Sequence, residues 1–230
     1  VSNAGDVNGD GLDDLIIGAE GADPNGNLSA GESYVVFGKT DGTAVELSDV
    51  TAGTGGFVIN GNDEFDQSGF SVSNAGDVNG DGLADVVIGS PGNDPNNQQQ
   101  SGTTHVVFGK ADGKSIELSS IGSDQNDSGF VVNGAVNTDF SGHSVSGAGD
   151  VNGDGLDDII VGAYQYDPPY LRKNAGGSFV VFGKNNGSSV ELGSLWRSNY
   201  NDDGFVINGI EADDRTGYSV SGAGDVNVDG

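Results

Sequence analysis

A nine-residue acidic loop recurs along this chain and constrains its fold more than any other feature. Asp6 to Asp14 reads DVNGDGLDD, Asp77 to Asp85 reads DVNGDGLAD, and Asp150 to Asp158 reads DVNGDGLDD. A fourth copy opens at Asp225 and runs to Gly230 as DVNVDG. The copies begin 71, 73 and 75 residues apart. Each complete copy leads into a short apolar run, DLIIGA, DVVIGS or DIIVGA, whose β-branched residues favour a strand. Self-similarity at a nearly fixed period marks a repeat architecture, in which one supersecondary unit is stacked on the next.

The loop places hard oxygen donors on alternate residues of a tight turn, and calcium takes about 6 to 8 such oxygens. In the third copy the side-chain ligands are Asp150, Asn152, Asp154 and Asp158, with the Leu156 carbonyl as a backbone ligand. The same roles fall to Asp6, Asn8, Asp10, Leu12 and Asp14, and to Asp77, Asn79, Asp81, Leu83 and Asp85. The fourth copy keeps Asp225, Asn227 and Asp229. Asp, Asn and Gly also favour turns with no metal. Turn chemistry alone, however, requires no fixed alternation of carboxylates, so three copies at one spacing point to Ca2+. The loop is not an EF-hand, which needs a bidentate Glu at its twelfth position and flanking helices; that position is Ile17, Ile88 or Val161 here.

Each period carries four candidate strands, A to D. In the first repeat they are residues 1–4, 15–18, 33–37 and 56–60; in the second 70–75, 86–89, 104–108 and 129–133; in the third 143–148, 159–162, 178–182 and 204–208. Residues 218–223 open a fourth. The step from Phe57 to Phe70, Phe130 to His143 and Phe205 to Tyr218 is 13 residues each time, whereas the B–C and C–D connections vary in length. A four-stranded antiparallel sheet that cannot form a core alone must stack on its neighbours, which is the logic of a propeller blade. The fold class is therefore all-β, a single propeller segment over 1–230 with repeats at about 1–68, 69–141, 142–216 and a partial 217–230.

These residues resemble the FG-GAP repeat family, the β-propellers of integrin alpha chains and of bacterial calcium-binding surface proteins. The loop D-x-N-x-D-G-x-x-D matches fully. Ser68-Gly69, Ser141-Gly142 and Thr216-Gly217 keep the Gly of the FG pair, while Gly18-Ala19-Glu20, Gly89-Ser90-Pro91 and Gly162-Ala163-Tyr164 match the GAP triplet at two positions of three. The resemblance implies a calcium site in each A–B hairpin on the lower face, and ligand recognition by B–C and D–A loops on the upper face. A closed propeller has about 4 to 8 blades, so the remaining blades are expected in a larger parent chain.

Composition narrows the partners. Asp and Glu number 35 against 8 Lys and Arg, a net charge of −27, which disfavours nucleic acid and anionic membranes because both need a basic footprint. No apolar run approaches the roughly 18 residues of a membrane span. The chain has no Cys, and there is no HExxH, GxSxG or P-loop. Cysteine-free, calcium-binding chemistry suits an extracellular or cell-surface bacterial protein.

Two connections stand out for recognition. The third B–C loop, residues 164–175, holds Tyr164, Tyr166, Tyr170, Arg172 and Lys173, where its counterparts are polar and non-aromatic; exposed Tyr and Arg dominate many binding surfaces. The bland alternative is that the tyrosines cover the end of their own blade. The third C–D connection carries Trp196, Arg197 and Tyr200, and the same alternative applies. His105 and His143 read as packed residues rather than catalytic ones. The expected function is a non-enzymatic calcium-binding module for adhesion to a protein or glycan ligand. The competing readings are a propeller scaffold of a secreted hydrolase or lyase with an acidic upper face, and a plain spacer.

Overall fold

The computed structural model describes residues 1–122, 128–168, 173–196 and 202–224. Blade 1 contains β1 (Ser2–Gly5), β2 (Asp14–Ala19), β3 (Glu32–Val36) and β4 (Gly56–Asn60), with helix α1 (Leu47–Thr51) between the last two. Blade 2 contains β5 (Ser71–Gly76), β6 (Asp85–Ser90) and β7 (Thr103–Val107), then a two-residue strand β8 (Ile116–Glu117) before its outer strand β9 (Gly129–Asn133). Blade 3 follows the same plan with β10 (Ser144–Gly149), β11 (Asp158–Ala163), β12 (Gly177–Val181), the short β13 (Val190–Glu191), helix α2 (Leu192–Leu195) and β14 (Gly204–Asn208).

In every blade the four long strands pair antiparallel in chain order, and the ladder register repeats from blade to blade. The first hairpin of each blade carries a one-residue shift just before the acidic loop, between Asn3 and Gly5, Asn74 and Gly76, and Gly147 and Gly149. The inner strands β1, β5 and β10 lie side by side. The described residues thus form three blades of an open β-propeller. None of their helices is long and apolar enough to cross a membrane.

The blades share two cores. Ile16, Val35, Phe57 and Ile59 of blade 1 pack on Val86, Ile88 and Val107 of blade 2. Val87, Val106, Phe130 and Val132 on the other side of blade 2 pack with Ile159, Val161, Phe179 and Val181 of blade 3. Side chains this size stabilise the fold by about 1.5–3 kcal/mol each when fully buried. All six residues of β6 are buried, which is why its middle, Val86, Val87 and Ile88, is a continuous apolar run rather than an alternation. Blades 1 and 3 each keep an open face, on which Leu15, Phe205 and Ile207 are exposed.

The sequence predicts none of the short strands β8 and β13. Each leaves the C–D connection of its own repeat and pairs parallel with the outer strand of the preceding blade, β8 on β4 and β13 on β9. Residues 218–223, expected as a fourth strand A, form no regular strand. In the complete blades strand A pairs only with strand B, and no such partner exists for this segment among the described residues. It lies instead along β10, with the Val220 and Gly222 amides donating to the Ser144 and Ser146 hydroxyls.

Candidate metal loops and the opposite face

The three complete acidic loops adopt one geometry. In blade 2, Asp77 Oδ1 accepts the amides of Gly80 and Asp81 at 2.8 and 3.1 Å, and its Oδ2 accepts that of Gly82 at 2.9 Å. Asn79 Oδ1 accepts the Asp81 amide and Asp81 Oδ1 the Leu83 amide. Asp6, Asn8 and Asp10, and Asp150, Asn152 and Asp154, repeat these bonds one for one. The amides of Leu12, Leu83 and Leu156 are held in this way too. Gly11, Gly82 and Gly155 sit near φ +90°, a conformation that glycine reaches without steric cost.

The third carboxylate differs from the other two. Asp14, Asp85 and Asp158 are fully buried. One oxygen of each accepts an amide inside its loop, from Val7, Val78 or Val151. The other accepts the amide of the glycine after strand C, Gly38, Gly109 or Gly183, at 2.7, 2.8 and 2.9 Å. Burial pushes all three carboxyls up, Asp85 to about 7, and the neighbouring loop aspartates add to the rise.

Successive loops are also tied together. The Asp6 carbonyl accepts the Ala84 amide at 3.0 Å, and the Asp77 carbonyl accepts the Asp157 amide at 3.1 Å. Asp157 in turn accepts the Asp77 amide at 2.8 Å.

These donors fit a hard cation by their chemistry. Each loop gathers three carboxylates and one amide oxygen, one carboxylate is buried, and no Lys or Arg pairs with them among the described residues. As they stand, the carboxylates are turned onto the loop's own amides, and among the described residues no three acidic or histidine side chains form a ready metal shell. Asp225, Asn227 and Asp229 of the fourth loop lie outside the described residues.

At the opposite end, Tyr164 joins an aromatic cluster with Phe140 (5.7 Å between centroids), His143 (4.6 Å) and Tyr218 (5.3 Å), and His143 also meets Phe70 at 4.9 Å. Phe70 and Tyr218 are exposed. His143 is half-buried, as its packed reading requires, and burial holds its imidazole below the usual value. Tyr166 corrects the expectation of an exposed recognition residue: it is 2 % exposed and packs edge-on against Phe179. Lys173 is exposed. Tyr170 and Arg172 lie outside the described residues, as do Arg197 and Tyr200; Trp196 follows α2 and is partly exposed.

The sequence reading missed a second set of buried acids, Asp66 and Asp139. Each accepts the amide three residues earlier in its D–A loop, Asp63 or Val136, and the exposed Asp214 does the same for Glu211. Burial raises Asp66 to about 6 and Asp139 to about 7. Their signal was present, an Asp three residues before each of the recurring Gly69, Gly142 and Gly217, but the abundance of Asp elsewhere hid it.

The family described as FG-GAP repeat matches residues 1–36, 68–107 and 141–182, each match running from strand A through the acidic loop into strand C. The chain belongs to the FG-GAP repeat family. It is 31 % identical to integrin alpha pat-2 of Caenorhabditis elegans over 70 % of its length and to integrin alpha-PS2 of Drosophila melanogaster over 74 %. It is also 28 % identical over 69 % of its length to a phosphatidylinositol-glycan-specific phospholipase D of Dictyostelium discoideum. The match spans only 13 %, 12 % and 17 % of those three relatives.

Proposed function

We propose that this FG-GAP segment is a non-enzymatic recognition module of an extracellular or cell-surface protein, and that Ca2+ in its acidic loops holds it in its binding-competent form. The observation that carries the reading is the threefold recurrence of a buried carboxylate (Asp14, Asp85, Asp158) beside two further aspartates, with no cationic side chain against them among the described residues. Carboxylates gathered this way repel one another, and a divalent cation removes that repulsion, so metal affinity becomes folding free energy. Asp6, Asn8, Asp10 and Asp14, with their counterparts in the other two loops, would hold the ion. The protein's own part is to fix the loop amides and to anchor the buried aspartate to the end of strand C.

The likeness to integrin alpha chains supports adhesion to a protein or glycan ligand, and the aromatic cluster around Tyr164 gives the end away from the loops a surface suited to contact. The phospholipase D is matched over only 17 % of its length, so this likeness does not carry its chemistry to the shared segment.

Calorimetric titration with calcium, paired with thermal melts in calcium and in excess chelator, tests the reading. Extracellular modules bind calcium at about 10⁻⁴–10⁻³ M, and saturable binding at that strength with a higher Tm in calcium is expected. An identical melt in both conditions would overturn the metal's role.

A further inference from the structure

The upper end of blade 2 contains a cleft with a polar lining. It has a volume of about 580 Å³ and lies between the D–A loop that leaves blade 1 and the B–C loop of blade 2. Ser68, Ser90 and His105 line it. All three are more than nine-tenths buried, and Ser68 Oγ, Ser90 Oγ and His105 Nδ1 find no hydrogen-bond partner among the described residues. Ser68 has its unpaired hydroxyl in common with its counterpart Ser141 in the next D–A loop, whereas Ser90 and His105 have no polar counterpart unpaired in this way. Buried polar atoms are nearly always paired, so these two call for a partner that the described residues do not supply.

The repeat provides its own control. The common register places Ser90 where blades 1 and 3 have Ala19 and Ala163, and His105 where they have Tyr34 and Phe179. Three residues beyond Ser90 stands Asn93, and its counterpart in blade 3 is Tyr166. In blade 3 the rings of Tyr166 and Phe179 close the space, with centroids 5.2 Å apart. In blade 2 Asn93 instead bonds Asp66 Oδ2 at 2.6 Å and accepts the Thr103 hydroxyl at 2.8 Å, which leaves the cavity open and lines it with polar groups. At the mouth stands Phe65, 61 % exposed, where the corresponding residues of the next two D–A loops are Thr138 and Asp213.

We propose that this cleft binds a neutral saccharide, whose hydroxyls pair with Asp66, Ser68, Ser90 and His105 and whose apolar ring face lies on Phe65. The assignment rests on the recognition reading above and names its ligand class and site. The volume falls in the range of small-molecule sites, about 300–1,000 Å³. Sugar hydroxyls donate and accept at once, which suits a wall that mixes a carboxylate, hydroxyls, an imidazole and the amides of Gln99 and Gln100. Asp63, Glu64 and Asp94 around the opening repel anionic ligands. A guanidinium or ammonium only donates, and would leave the amide donors of the wall without acceptors. His105 stays neutral in this setting, since burial lowers its pKa to about 4.

The test is saturation-transfer NMR and calorimetry on the 230-residue chain in calcium, with methyl glycosides of glucose, galactose, mannose and the N-acetylhexosamines. Methyl glucuronide and arginine ethyl ester serve as anionic and cationic counter-probes. Millimolar or tighter binding of at least one neutral glycoside is expected. Asn93→Tyr with His105→Phe, the pair that fills the same space in blade 3, should abolish it. Ser90→Ala, which removes an unpaired hydroxyl and copies the other two blades, should leave the melt unchanged and weaken binding about tenfold, the value of one hydrogen bond of about 1.4 kcal/mol. No neutral glycoside bound, binding untouched by these variants, or preferential binding of arginine ethyl ester overturns the proposal. Calcium affinity and the chelator melt are read on the same samples, so failure of the saccharide site is distinguishable from failure of the metal-stabilised recognition reading.

Discussion

Tyr166 lies edge-on to Phe179, 5.2 Å between ring centroids, and closes the upper end of blade 3 from within. Its hydroxyl is buried without a hydrogen-bond partner among the described residues, and burial pushes its pKa up to about 12, with Asp139 nearby adding to the rise. The ring is therefore useful and the hydroxyl is not. Tyr166→Phe should leave the melting temperature unchanged or raise it, because it removes an unpaired polar group. Tyr166→Ala should cost about 3–5 kcal/mol, the usual range for truncating a buried aromatic ring. Chemical denaturation of the two variants in calcium separates these outcomes; equal destabilisation by both would show that the hydroxyl has a partner.

Asp85 has two duties that mutation can separate. Its oxygens hold the Val78 and Gly109 amides, and its charge completes the acidic loop. Asp85→Ala loses both and strands two amides, which should destabilise the chain by about 3 kcal/mol even in excess chelator. Asp10→Ala removes a carboxylate that holds only the Leu12 amide and the Asn8 side chain, so its loss should appear mainly as one fewer calcium bound per chain. Titration stoichiometry and chelator melts on the two variants decide whether structural and metal roles divide this way.

The short strands carry a repeated clasp between blades. Glu117 Oε1 accepts the Asn60 side-chain amide at 2.6 Å and its Oε2 that of Asn25 at 3.2 Å. Glu191 does the same with Asn133 and Asn96, at 2.6 and 3.1 Å. Glu117→Ala should cost about 1–2 kcal/mol, the scale of hydrogen bonds to a charged, partly exposed group. A double-mutant cycle with Asn60→Ala should return a favourable coupling of about 1 kcal/mol. Glu46 holds the equivalent position in the first repeat and is exposed, so Glu46→Ala should not shift the melt. Equal effects at Glu46 and Glu117 would dismiss the clasp.

The blades themselves were legible because the acidic loop fixes the A–B hairpin and the invariant 13-residue step fixes the D–A turn. Their apolar runs then fall into register with little freedom. The clasp was not legible: Ile116-Glu117 and Val190-Glu191 are two-residue strands whose partners lie 57 and 58 positions away, and nothing local distinguishes a Val-Glu that pairs from one that does not. Tyr166 was misread for a related reason. Aromatic content in a loop signals either recognition or packing, and only the facing Phe179 decides between them. The cleft of blade 2 was invisible because it is made by what Asn93 and His105 fail to fill.

Asp139 makes stability depend on pH in a direction that can be worked out. Its carboxyl is almost fully buried and is raised from 3.8 to about 7, chiefly by burial. The folded chain therefore holds this proton where the unfolded chain has released it. Stability from this group is complete below about pH 4 and is lost as pH rises to about 7, with an upper bound of about 4 kcal/mol for a shift of this size. Asp139→Asn keeps an acceptor for the Val136 amide and cannot ionise, so it should be more stable than the parent at pH 7–8, with the difference vanishing near pH 4. The melts belong in saturating calcium, so that the loop carboxylates do not titrate over the same window. A difference that stays constant with pH would mean that the carboxyl is solvated and its proton leaves near the ordinary value.

Gly89 and Gly142 show how closely the blades approach and give the sharpest mutational test of that approach. A Cβ built on Gly89 would lie 1.9 Å from the Gly142 carbonyl oxygen, and the same clash would arise between Gly18 and Gly69 at 2.0 Å and between Gly162 and Gly217 at 2.0 Å. The obstruction is backbone, which cannot swing aside as a side chain would. Gly89→Ala must therefore push blades 2 and 3 apart and loosen the core between Val87, Val132 and Ile159, a cost of about 3 kcal/mol or more by analogy with overpacked cores. Gly82 is the control. Its Cβ would meet nothing within 4 Å, but its φ is +89°, so Gly82→Ala carries only local backbone strain of about 1–2 kcal/mol. Hydrogen exchange should then show protection lost across β10 and β11 in Gly89→Ala, and only around the second acidic loop in Gly82→Ala. Loss confined to the loop in both variants would mean that the blades tolerate separation and that the glycine pairs are not what sets their spacing.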